Sequence, residues 1–140
     1  MNREIKFRGW GIHVKRWIFG DLLTASEDGR AIQYYDEEDG WMCDNVNEKT
    51  VGQFTGFYDR KGQEIYESDI ITYLSHRMDG TGIIEQGKVE WRQEEGCYVF
   101  VNRFSTRDNR EMVTPLIRCK EITVIGNWFD NPELMEGGAQ

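Results

Sequence analysis

Few residues in this 140-residue sequence have the types and spacing that chemistry needs. Nucleophilic catalysis requires a Ser, Cys or Thr held beside a general base. His13 and His76 are the only histidines. His13 lies between apolar positions of an expected strand and reads as a packed or edge histidine. His76 follows "ITYLS" and precedes a turn, so it reads as an exposed loop histidine. Cys43, Cys97 and Cys119 are far apart and offer no C-x-x-C pair of the kind that opens a zinc site. Cys97 falls on an apolar face and reads as a small buried residue. Glu64, Glu67 and Asp69 form a tight carboxylate group. A general acid–base pair, however, needs a concave site that drives two pKa values apart. Asp69 is more simply an acceptor of backbone hydrogen bonds at a corner. The run Asp36-Glu37-Glu38-Asp39 lacks the alternating oxygen ligands and closing bidentate glutamate of a calcium loop, so it reads as a solvated hairpin tip. The expectation is a non-catalytic protein with no metal and no cofactor.

The remaining candidate site is electrostatic. Arg103, Arg107, Arg110, Arg118 and Lys120 lie in a segment, 102–120, of net charge +3, and Phe104 among them is an aromatic that could stack on a base. Lys6, Arg8, Lys15 and Arg16 would extend such a patch. Against it stands a net charge of −8, because nucleic-acid affinity comes mainly from neutralising phosphates. Residues 21–48 carry nine acids against Arg30, which also admits an acidic surface that engages a basic host factor. Nucleic-acid binding and the acidic decoy are therefore the alternatives. A binding or assembly module is the leading expectation, with Trp17, Trp41 and Trp128 as exposed aromatic candidates.

The elements that must position these residues read as short strands. Fifteen glycines, two prolines and 13% aromatic residues describe a folded β domain with many turns, not a disordered chain. An odd cysteine count without a secretory leader points to a reducing cytoplasm. No apolar run approaches the roughly 18–20 residues of a membrane helix, so no membrane partner is expected. Strands are expected through Ile5–Arg8, through Ile12 and Val14 to Phe19, and over "AIQYY", "KVEW", "CYVFVNRF" and "EITVIGNWF". The polar stretch at 105–111 reads as a long loop. Asn131-Pro132 opens a short C-terminal helical turn, with Asn131 capping its amides.

The stretch "QFTGFYDRKGQEIYESDIITYL" resembles a ligand-cradling loop only superficially. A phosphate loop needs glycines at a strand-to-helix junction, and no helical period follows here. Asp59 at the first position and Gly62 at the last suit a type I turn closing a hairpin. Glu67-Ser68-Asp69 then makes a corner before the next strand. This segment is read as scaffold, with only the Arg60-Lys61 tip free to touch a partner.

Three pieces, "REIKFRGW", "VGQFTGFYDRKGQEIYESDI" and "TVIGNWFDNPELM", resemble in this order the YopX family of small phage and prophage proteins. The resemblance covers nearly the whole chain, with 21–48 and 102–116 as variable parts. It implies a mainly β fold: N-terminal β hairpins over 1–50 and an SH3-like barrel over 51–136, in a single domain of 1–140. Gly56, Asp59, Gly62, Tyr66, Asp69, Gly126, Asn131 and Pro132 are the motif positions, read as structural. Gly9 stands where alanine is common in the family, and Ser68 where glycine is usual. The resemblance implies a phage origin and a bacterial cytoplasm, and no activity. The expected partner is a host or phage protein, or a second copy of the chain.

Overall fold

A computed structural model describes residues 3–24, 29–102 and 111–135. The described chain is mainly β, as expected. Its eleven strands are β1 (Phe7–Trp10), β2 (Trp17–Leu23), β3 (Ala31–Asp36), β4 (Gly40–Asn45), β5 (Gly52–Tyr58), β6 (Glu64–Tyr66), β7 (Asp69–His76), β8 (Gly82–Arg92), β9 (Cys97–Asn102), β10 (Met112–Pro115) and β11 (Lys120–Asn127). Two compact units are found, Met1–Gly56 and Phe57–Gln140, and β5 carries the chain from one to the other.

In the first unit the antiparallel strand order is β4-β3-β2-β1-β5. Alternation puts Ile18, Ile32 and Val46 on one face, where they form a core with Phe7, Leu22, Tyr34 and Val51. The second strand starts later than its apolar pattern implies. Ile12 and Val14 belong to a loop, because the Gly11 amide donates to the Arg16 carbonyl and the Lys15 amide to that of Gly11. Gly11 permits this fold: a Cβ there would sit 2.5 Å from Val14 Cγ2 and 2.7 Å from Ile18 Cδ1. His13 is consequently an exposed loop residue, not a packed strand residue.

In the second unit β10-β9-β8-β7-β11 form an antiparallel sheet. Ile71, Tyr73, Val89, Tyr98 and Phe100 project to one side and pack with Ile65, Leu116, Cys119 and Ile122. Tyr73 meets Phe100 edge-on, with ring centroids 4.7 Å apart. β9 is buried on both faces, with Val99 and Val101 as enclosed as Tyr98 and Phe100.

The SH3-like barrel expected over 51–136 is not seen as a closed barrel. β10 and β11 remain the two edges of an open sheet among the described residues. The β10 edge opposes closure. β10 spans only four residues and ends at Pro115, which has no N–H to extend a ladder, and a 3-10 turn at Leu116–Arg118 follows. β11 shifts register twice against β7, between Lys120 and Thr123 and between Val124 and Gly126. β10 is itself an addition to the expected strands, beginning one residue beyond the expected loop.

Candidate binding surface

The motif residues around Asp59 and Asp69 build a corner of the backbone. Asp59 is 6% exposed. Its Oδ1 accepts the amides of Lys61 and Gln63, and its Oδ2 accepts that of Val124. The Gly62 amide donates to the Asp59 carbonyl, closing the turn, and Gly62 holds φ +86°, which glycine adopts without strain. Burial works to raise the Asp59 pKa, but the three amide donors and the Lys61 charge outweigh it and hold the carboxyl below its ordinary value. Eight residues on, Glu67-Ser68-Asp69 repeats the device. Asp69 is 2% exposed, and its Oδ2 accepts the Tyr66 amide. The Tyr66 hydroxyl in turn donates to Glu64. Glu64 therefore accepts from a tyrosine and Asp69 from the backbone.

Gly126, Asn131 and Pro132 close the unit in a way their residue types only half indicate. Pro132–Met135 is a 3-10 turn. The Asn131 side chain points back from it, its Oδ1 accepting the Asn127 amide at 3.2 Å instead of capping the turn that follows. Asn131 packs over Gly126 so closely that a Cβ on Gly126 would lie 2.5 Å from that oxygen.

An open depression of about 370 Å³ lies in the second unit between the Asp59 turn and the start of β11, lined by Phe57, Tyr58, Arg60, Leu116, Ile117 and Glu121 among others. Arg60 of the expected contact tip thus sits at its wall. Cys119 also lines it, and burial pushes that thiol up to about 11, so it stays protonated at neutral pH and is a poor nucleophile. Among the described residues no group of three or more His, Cys, Asp or Glu side chains could hold a metal ion.

Of the basic candidates, Arg118 and Lys120 are exposed on either side of buried Cys119. Arg103, Phe104, Arg107 and Arg110 lie outside the described residues. The aromatic candidates separate clearly. Trp17 is partly covered, with the buried Arg8 guanidinium 4.9 Å from its ring. Trp128 is exposed, with Lys88 Nζ 4.8 Å from its ring. Trp41 is 67% exposed. It pairs across the β3–β4 hairpin with Tyr35, itself 61% exposed, their rings edge-on with centroids 5.4 Å apart.

Phe19 and Asp21 of β2 share this face, because Asp21 pairs with Gln33 and both strands alternate with period two. The face therefore presents Phe19, Tyr35 and Trp41 as an exposed row. Asp36 shapes the tip beside it, accepting the Glu38 and Asp39 amides on Oδ1, and these donors lower its pKa. Phe19 and Tyr35 gave no sign of this placement in the sequence, since their alternation is that of any half-buried strand.

A solved structure, the crystal structure of protein EF1440 from Enterococcus faecalis, matches with a TM-score of 0.52 at 19% sequence identity, covering 96% of this chain and 100% of that one. At that identity the likeness concerns the fold alone. No curated protein matches the chain. The family model described as YopX protein matches residues 6–136, which include the turn at Asp59, the corner at Asp69 and the Gly126–Asn131 closure. The chain belongs to the YopX family.

Proposed function

We propose that this chain is a non-catalytic protein-binding module, acting in the phage or prophage setting and host cytoplasm that its family resemblance implies. The carrying observation is the paired exposure of Tyr35 and Trp41 on the β3–β4 hairpin. Two large aromatic side chains held together in solvent are costly to hydrate, and aromatics of this kind anchor protein interfaces. The motif carboxylates support the same reading from the other side, because Asp59 and Asp69 are committed to backbone amides.

Capture of partners from bacterial lysate, with and without nuclease, tests this reading against a Tyr35→Ala/Trp41→Ala variant. The expected result is a protein retained after nuclease by the native chain and lost by the variant. Identical retention by both would overturn it. Material lost only on nuclease treatment would instead favour nucleic-acid binding through Arg118, Lys120 and the arginines at 103, 107 and 110.

A further inference from the structure

We infer that the occupant of the Tyr35–Trp41 face is a short extended segment of a partner protein bearing lysine or arginine at alternate positions, laid along the free edge of β4. This inference rests on the binding-module reading above and names the partner's chemistry.

Backbone geometry comes first. β4 is the terminal strand of its sheet. The Val46 amide donates inward to Arg30, whereas the Asn45 carbonyl faces the other way and accepts from Ile12. Hydrogen-bonding direction alternates along an antiparallel strand. Stepping back by two from Asn45, the main-chain groups of Cys43 and Trp41 point outward from the sheet. The far end of this edge is closed by the bridge between Gly11 and Val46, which leaves only the stretch from Gly40 to Asp44 open among the described residues. A segment of about four to six residues fits that length at about 3.3 Å per residue.

Charge then selects the occupant. The residues whose amides face outward are those whose side chains share the aromatic face, so alternate side chains of an added strand would stand beside Trp41 and Cys43. Glu37, Glu38 and Asp39 are exposed at the tip next to that row, and Asp21 is exposed on the same face. Two cations of this unit are already engaged. Arg8 is buried beside Trp17, and Arg16 donates to the Tyr34 hydroxyl, which bonds Asp44. An ammonium or guanidinium over Trp41 would gain both the ring face and the neighbouring carboxylates. An acidic segment would meet like charge.

Fluorescence-detected titration with a capped Lys-Val-Lys-Val-Lys-Val peptide tests the inference, using Gln-Val and Glu-Val repeats as controls. The lysine peptide is expected to bind more tightly than the glutamine peptide by at least about fivefold, with the difference shrinking as salt rises, and the glutamate peptide is expected not to bind. Trp41→Ala should weaken the lysine peptide at least about threefold. So should Glu37→Gln/Glu38→Gln/Asp39→Asn, which leaves the turn-forming Asp36 intact. Replacing the central valine by proline should abolish binding, since proline cannot complete the ladder. Equal binding of lysine and glutamine peptides would overturn the charge argument, and an unaffected Trp41→Ala variant would overturn the site. If no peptide binds while lysate capture still depends on Tyr35 and Trp41, this inference fails and the binding-module reading stands. A dimer abolished by Trp41→Ala, with no peptide binding, would make a second copy the occupant and overturn it too.

Discussion

Asp59 shows how much of this protein a single carboxylate can hold. Its three amide donors come from its own turn and from β11, 65 residues away. Replacing it by alanine leaves those donors without their acceptor, and a loss of about 2–4 kcal/mol in urea unfolding is expected at neutral pH. The sign of its pH dependence follows from the depressed folded pKa. The contribution is complete above the ordinary value of 3.8 and is lost as pH falls below that value through the folded pKa. The gap between native and Asp59→Ala stability should therefore narrow steadily below about pH 4. Ser68 poses the opposite case. It holds φ +71°, its amide donates to Val89 and its carbonyl accepts from Trp128. A serine in the left-handed region is strained, so Ser68→Gly is expected to stabilise by about 0.5–1 kcal/mol, read as a raised urea midpoint. That angle is a physical reason for the glycine that the family resemblance leads one to expect here. That the corner keeps its form with serine was hidden from the sequence, because the compensating hydrogen bonds come from β8 and the far end of the chain.

At the scale of elements, legibility follows the range of the forces. The Asp59–Gly62 turn and the β3–β4 hairpin were readable because their residues bond within a few positions of one another. Asn131 was half readable. Asn-Pro does announce a turn, but the side chain folds backward because Gly126 leaves room for it. Gly126→Ala should displace Asn131 and cost about 1–2 kcal/mol, measured by thermal unfolding, and Asn131→Ala should add little in the Gly126→Ala background. β10 was unreadable for a similar reason. "MVTP" is too short to show alternation and ends in proline, and it becomes a strand through pairing with β9, where Val113 lies opposite Val101. Closure of the expected barrel likewise failed at β10, whose shortness and terminal proline matter only once it stands at the edge of the sheet.

Across the whole molecule, charge is the property most directly inherited from composition. The total of −8 has its densest part in 21–48, where β3, β4 and their tip present the aromatic row. At about 150 mM salt the chain is expected to retain single-stranded DNA weakly, if at all, and a cationic peptide measurably, in the same anisotropy assay. Tight DNA binding that falls steeply with salt would shift the functional face to the basic segment. The sequence by itself determined the strand-rich class, the turns, the family and the absence of a spaced metal or nucleophile motif, because each depends on residue type and short spacing. Only the tertiary structure decided that the later sheet stays open, that Asp59 also holds an amide of β11, and that Tyr35 and Trp41 stand together in solvent. Those facts depend on which strands pair and in what register, and pairing joins residues whose separation along the chain carries no local signal.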